Sequence, residues 1–406
     1  MSLRRVKVNK RIEVRCKRCP HCNSRRLSEG RVLSTRTIDM KFLLSGVKKW
    51  VIIYSSRQYH CDKCGSTFRP PEYPQTASLY GDGLVTWTIY QNVALGQNML
   101  KVERCLREVF KLNIPQPTLH RFKALVARRY EPTKEAILAE LLRGPSLNVD
   151  ETEARLCNEK AHVWVFAGIS GAYYERRDSR NGQFLAERLN GFDGVLVSDF
   201  FTAYDSIENP QQKCLIHLIR DMNEDVKANP FDTELRGIVQ AFASVMRPII
   251  ETVDRYGLTK SRLQKHKIAA MGFVEKVVGN RVLSEAASKY QNRIEKYGYR
   301  LFTFLDYDGV PWHNNNAEHA IKAFARYRRF ANGRFTKKSV SDYLTILSVF
   351  QTCEYQGVKV LKFLLTGETR FTFPDRTRST REHEQDTRKC TPSVSSVEKT
   401  DGTFIC

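Results

Sequence analysis

Long apolar stretches are missing from this 406-residue chain. No run approaches the ~18 to 20 apolar residues that span a bilayer, and no apolar core follows the start Met1-Ser-Leu-Arg-Arg, as a secretory signal would require. The expectation is a cytoplasmic protein with no membrane partner. Internal repeats are missing too. Hydrophobic residues make up 41% of the chain, which excludes collagen-like, rod-like and wholly disordered readings and leaves enough to bury at least one full core. At this length two or three domains are expected.

Acids are short relative to bases: 44 Asp and Glu stand against 66 Lys and Arg, a formal charge of +22, which points to a polyanionic partner. The excess is uneven. Residues 1–130 hold 26 bases and 8 acids, a local +18, and the remainder carries only +4. Within that remainder, residues 191–210 carry Asp193, Asp199, Asp205 and Glu208 with no base. Residues 319–338 carry Lys322, Arg326, Arg328, Arg329, Arg334, Lys337 and Lys338 with no acid. Either stretch alone reads as a solvated charged face; together they place an acidic and a basic segment in one domain.

The eleven cysteines of a long intracellular chain argue against a disulfide framework, so Cys-x-x-Cys pairs are read first as metal ligands. Cys19-Pro-His-Cys22 and Cys61-Asp-Lys-Cys64-Gly bracket a segment with strand character, Thr35 to Tyr54. This suits a zinc ribbon, in which four thiolates hold one tetrahedral Zn²⁺ and replace the core that ~50 residues cannot build. Cys16 also stands three residues from Cys19, but the Pro-His turn and the Gly after Cys64 favour Cys19 and Cys22.

From Gly81 the pattern turns helical, with Val102, Cys105, Leu106, Val109 and Phe110 on one face. Lys111 to Pro115 breaks it. A second helix starts near Pro117, burying Leu119, Phe122, Leu125 and Val126 and showing His120, Arg121, Lys123, Arg128 and Arg129. A helix pair with a basic second member reads as a helix-turn-helix DNA-binding element; an ordinary helical bundle is the other reading. A further helix is expected over Glu131 to Leu142.

Strands follow at Leu147 to Asp150, His162 to Ala167, Ala172 to Tyr174 and Gly194 to Asp199, with a helix from Ser179 to Leu189. A last strand is expected over Gln212 to His217, running into a helix at Leu218 to Lys227. Strands first, then strands alternating with helices, suggest a mixed sheet of the ribonuclease H type. Residues 231–305 read as helical throughout, and the Thr-, Ser-, Arg- and Glu-rich segment past Glu368 as a disordered tail. The fold class expected is therefore α+β and multidomain: a zinc ribbon with a basic arm (1–75), a helical helix-turn-helix domain (76–143), a mixed α/β core (144–228 and 306–368) interrupted by a helical insertion (229–305), and a tail (369–406).

Asp150 and Asp199 each close an apolar strand in this reading, and ligand sites of α/β sheets gather outside strand ends. Buried like charges repel unless a cation lies between them, and Mg²⁺ (or Mn²⁺) suits carboxylate oxygen. Asn314-Asn-Asn316 offers helix caps that set Glu318 in or near a first turn, with Lys322 and Arg326 further along the same face. Acids for metal beside bases for phosphate are what phosphodiester chemistry requires. Cys214 and His217 stand three apart, open to a second zinc site or to core packing with His217 near the metals. Glu151 should face away from Asp150. Trp312 could stack on a base or pack in the core.

These segments carry a resemblance. Val149-Asp-Glu-Thr152, Val197 to Tyr204, Gln212 to Asp221 and Asn314 to Lys322 resemble, in order and spacing, successive motifs of DDE transposases of the insertion-sequence-66 family. Phe200-Phe201, His313 and His319 stand where the family usually has Gly-Tyr, Asp and Arg. The resemblance implies a ribonuclease H-like catalytic core whose acids are Asp150, Asp199 and Glu318, holding two Mg²⁺ ions for DNA end cleavage and strand transfer. It also implies double-stranded DNA as partner, at the element ends and at the target, and a homo-oligomer assembled on it. Arg121, Lys123, Arg128, Arg129, Lys322, Arg326 and Arg329 are the expected DNA contacts. Two rivals remain: a DNA-binding regulator with an inactive core, and a ribonuclease H-like nuclease without strand transfer.

Overall fold

The computed structural model describes residues 7–74, 79–156, 159–330 and 336–373. Arg334 and residues 374–406 of the expected tail lie outside the described residues. The chain divides into two compact units, residues 1–129 with 358–368, and residues 130–357 with 369–406.

The first unit opens with a small sheet. Strand β1 (Lys10–Glu13) runs parallel to β3 (Gly46–Cys61), which pairs antiparallel with β2 (Leu27–Leu43) and with the short β4 (Thr67–Phe68). The β2–β3 hairpin closes at Leu43 and Gly46 around a two-residue turn, and Gly46 takes a φ of 123°, open to glycine alone. The strands run well past the expected Thr35–Tyr54 segment, because β2 and β3 keep pairing as far as Leu27 and Cys61, so that β3 ends on Cys61 itself. The α-helices α1 (Asp82–Ile89) and α2 (Met99–Glu108) follow, then the first part of α3 (Gln116–Leu141), whose residues from Tyr130 on belong to the second unit. Asp39 of β2 accepts from the backbone N–H of Leu84 at 2.8 Å, capping α1 from a neighbouring strand.

The helix pair departs from expectation in four places. Asn98 caps α2, accepting from Lys101 N at 2.9 Å, but the helix stops at Glu108, so Val109 falls past its end and is 66% exposed rather than on the buried face. On α3, Leu119, Phe122 and Val126 are buried as expected, whereas Leu125 is 49% exposed. Arg121 and Arg128 face solvent. Lys123 does not: it lies one position after Phe122 on the buried side and is 2% exposed, so it is not a surface base available to DNA. Finally, the helix expected to restart at Glu131 is the same helix, which carries Pro132 in its interior.

The second unit is built on a five-stranded sheet in the order β7 (Gly171–Arg177), β6 (Lys160–Gly168), β5 (Ser146–Arg155), β8 (Val195–Ser198), β9 (Gln211–Lys213). The β5–β6 and β6–β7 pairs are antiparallel; β5–β8 and β8–β9 are parallel. Alternation sets two faces. Asp150, Val165 and Tyr174 share one, where α10 (Asn315–Phe330) and α11 (Lys337–Tyr355) pack and the Tyr174 hydroxyl donates to Ala320 O at 2.8 Å. Glu151 and Trp164 share the other; there the Trp164 ring meets Phe184 of α4 (Gln183–Arg188) and Tyr204 edge-on.

Strand β9 ends at Lys213, and α5 (Leu215–Ala228) begins straight after Cys214. His217 therefore lies in a helix's first turn, not on a strand as expected, since three polar β9 residues suffice to complete the sheet edge. Residues 233–301 form α6 (Thr233–Tyr256), α7 (Lys260–Leu263), α8 (Lys267–Gly279) and α9 (Glu285–Leu301). Their Phe242, Ile249, Tyr290 and Ile294 join Val195, Val197, Leu215 and Leu218 in one buried cluster, with Trp312 packed against it. Among the described residues, no helix is long and apolar enough to cross a membrane.

Candidate metal centre and candidate active site

Two matching knuckles bring the N-terminal cysteines together. In the first, Asn23 N donates to Cys19 O at 2.9 Å and Cys19 N to Ser24 O at 2.9 Å. In the second, Gly65 N donates to Cys61 O at 2.8 Å and Cys61 N to Ser66 O at 2.9 Å. The residue after each pair takes a left-handed φ, 59° at Asn23 and 69° at Gly65, conformations that Asn and Gly tolerate best. The Cys19 and Cys64 sulfurs lie 3.7 Å apart and those of Cys22 and Cys61 3.6 Å apart. All four lie within 4.8 Å of one another. A tetrahedral ion with Zn–S bonds of ~2.3 Å separates its sulfurs by ~3.8 Å, so the four thiols fit zinc with little movement. Burial opposes ionisation of Cys19, yet the backbone N–H groups of Cys22 and His21 bring its thiol well below the usual range. Cys16 stands outside this set.

Asp150 is not at a strand end. It sits mid-way along β5, opposite Val165 of β6. The apolar run stops at Val149, but the strand continues through Glu151, Thr152 and Glu153 because β6 keeps pairing with it. The β5–β8 register, Asn148 opposite Val197, carried on by two residues sets Asp150 beside Asp199, the residue following β8. Burial, then the charge of Asp199, push the Asp150 carboxyl up to about 8; Glu151 adds to this and Glu318 contributes more weakly. Asp199 accepts from Phe201 N at 2.9 Å, which fixes its carboxylate on the turn after the strand.

Glu318 occupies the first turn of α10, as expected, with its N–H bonded to Asn314 O at 3.1 Å. Among the described residues it groups with Cys214 and His217: the three offer atoms all within 4.8 Å of one another. The three acids do not form so tight a set.

The sequence offered Asn314 as a helix cap, and its larger role went unread. Fully buried, it donates to Val149 O at 2.9 Å and accepts from Asn148 Nδ2 at 3.0 Å, while Asn148 also reaches His313 O at 3.3 Å. This clamp fixes the start of the Glu318 helix to the strand bearing Asp150. Lys213, fully buried, donates to Ser198 Oγ at 3.2 Å and lies 3.8 Å from Asp205; burial brings its ammonium down to about 8. Glu151 faces away from Asp150, held by the Tyr204 hydroxyl at 2.6 Å and by Arg180 at 2.9 Å.

The sequence model described as Transposase IS66 family matches residues 77–339. That is well over half of the chain. The protein belongs to the IS66 transposase family. No curated protein matches it. The stretch shared with the IS66 family contains Asp150, Asp199, Glu318, Cys214, His217 and both asparagines of the clamp, and it begins after the four-cysteine centre. As an IS66 transposase the protein acts on DNA. Of the bases expected to meet it, Lys322, Arg326 and Arg329 are exposed on α10. Arg328, between them, instead donates to Glu153 O at 2.6 Å and ties α10 to β5. Arg129 lies 3.1 Å from Asp82.

Proposed function

We propose that the sheet β7-β6-β5-β8-β9 with its flanking helices is a ribonuclease H-like core in which Asp150, Asp199 and Glu318 hold two Mg²⁺ ions, and that the protein cleaves the ends of its insertion sequence and joins them to target DNA. The observation that carries this reading is the register of β5 on β8. Two carboxylates on adjacent parallel strands, one raised to about 8 mainly by burial and by the other's charge, are an arrangement that a divalent cation relieves. An all-oxygen donor set suits a hard ion. When bound, the ions supply activation of the attacking oxygen and stabilisation of the leaving one. The chain's own residues do the rest. The Asn148–Asn314 clamp holds the start of α10, the helix that carries Glu318, against β5, and the exposed Lys322, Arg326 and Arg329 on the same helix offer charge to the phosphate backbone.

The N-terminal unit, with its four-cysteine centre holding one Zn²⁺ and with Arg121 and Arg128 facing solvent on α3, supports recognition of double-stranded DNA. Mg²⁺-dependent assays with element-end and target DNA test the proposal. Wild type is expected to give nicked and joined products, and Asp199→Asn neither, while binding ends as before. Joining by Asp199→Asn would sink the assignment; nicked but never joined products from wild type would favour a nuclease.

A further inference from the structure

A second cluster of metal-ligating groups lies in the same unit, assembled from segments a hundred residues apart. Cys214 sits at the N-terminus of α5, fully buried, and its sulfur accepts from Asn314 N at 3.2 Å. One turn along α5, His217 directs Nδ1 towards Glu318 Oε1 at 3.8 Å. A second backbone bond, Leu215 N to Trp312 O at 3.0 Å, fastens the start of α5 to the segment leading into α10. The three residues are thus held by main-chain geometry, and their ligand atoms lie within 4.8 Å of one another.

The pair His217 Nδ1 and Glu318 Oε1 is notable for what it does not do. Both atoms are shut off from solvent and neither has a hydrogen-bond partner. At 3.8 Å they are too far apart to bond each other. Unpaired buried polar atoms are costly and rare, and two facing each other across a gap beside a buried sulfur call for something between them. For a tetrahedral ion with bonds of ~2.0 to 2.1 Å to oxygen and nitrogen and ~2.3 Å to sulfur, ligand atoms sit ~3.3 to 3.6 Å apart. Closing the observed gap takes a few tenths of an ångström. One sulfur, one imidazole nitrogen and one carboxylate oxygen form a borderline-soft donor set, unlike the all-oxygen set of Asp150 and Asp199.

We propose that Cys214, His217 and Glu318 bind a single Zn²⁺ ion with a fourth position left open, and that zinc there draws Glu318 away from the Mg²⁺ site and slows strand cleavage. The binding site stands on its own geometry; the inhibition rests on the reading of Glu318 given under Proposed function. Glu318 Oε1 already faces His217 Nδ1 at 3.8 Å, so an ion held there engages the same carboxylate that the Mg²⁺ reading needs.

The test uses the full-length protein equilibrated with buffered free Zn²⁺ and counts bound metal by mass spectrometry, with cobalt replacement reporting thiolate ligation by its charge-transfer band. Wild type should carry two equivalents, one in the four-cysteine centre. Cys214→Ser should lose the second equivalent and its share of the cobalt–thiolate band. His217→Gln, at a half-buried position where folding is less at risk, should also fall from two to one with its thermal melt retained. Mg²⁺-dependent cleavage by wild type should drop at least tenfold as the second equivalent binds. One equivalent in wild type, or two in both variants, would overturn the site; full cleavage with both equivalents bound would overturn the inhibition. Asp199→Asn should still bind two, so failure of the Mg²⁺ reading and failure of this one are told apart.

Discussion

Asp150 is the residue on which the proposed chemistry and stability meet. Its carboxyl is raised to about 8, through burial first and the Asp199 charge second, against roughly 3.9 in an unfolded chain. A raised acid binds its proton more tightly in the folded state. Its contribution to stability is therefore complete below about pH 4 and is lost progressively as pH rises through about 8. Without divalent metal, Asp150→Asn should melt several degrees above wild type at pH 8 to 9, with the gap closing as pH falls towards 4. Differential scanning fluorimetry in chelator across that range checks this, and added Mg²⁺ should raise the melting point of wild type but not of the variant. Lys123 gives a contrast at the same scale. Its charge pointed to DNA, and its position on the helix put it inside; a single residue's exposure depends on which side of a helix its neighbours bury, and Phe122 and Val126 decided that.

At the scale of elements, what could be read from the sequence followed from local pattern. The apolar, β-branched Val195 to Val197 announced β8, and the β-branched and aromatic run Trp50 to Tyr54 announced the hairpin strand that ends on Cys61. The two Cys-x-x-Cys knuckles were legible because all their geometry is local: turn, left-handed residue and sulfur fall within six residues of each other. What could not be read came from partners distant in sequence. Strand β5 outlasts its apolar run because β6 pairs with it as far as Arg155, and this moves Asp150 from the end of a strand to its middle. The grouping of Cys214 and His217 with Glu318, and the bonding of Asn314 to β5, join segments more than a hundred residues apart that no spacing rule connects. The clamp makes the strongest prediction here. Asn314→Ala removes the bonds to Asn148 and Val149 and leaves buried polar groups unpaired, at a cost of about 2 to 3 kcal/mol. The melting point should fall by ~5 °C or more. Cleavage should fall further than DNA binding, because the start of α10 then loses its bonds to the Asp150 strand while the Arg328–Glu153 bond further along still holds the helix; equal losses in the two assays would reduce Asn314 to a packing residue.

For the whole molecule, charge is unevenly divided along the chain. Residues 1–130 carry +18, and the remainder, near neutral in sum, contains both the acidic stretch around Asp199 and the basic stretch after Glu318. Binding of element ends should thus weaken steeply with salt. Arg121→Ala and Arg128→Ala should each flatten the log–log salt slope by about 1, with Lys123→Ala leaving the slope unchanged, as fluorescence anisotropy at several salt concentrations would reveal. The family match covers residues 77–339, so it spans the proposed catalytic acids and the exposed Arg121 and Arg128 but not the four-cysteine centre. The most direct measurement of the central claim is strand transfer by Asp150→Asn, with end binding followed in the same preparation. The account predicts cleavage and joining reduced at least a thousandfold with affinity for ends within about threefold of wild type; joining within tenfold of wild type would contradict it.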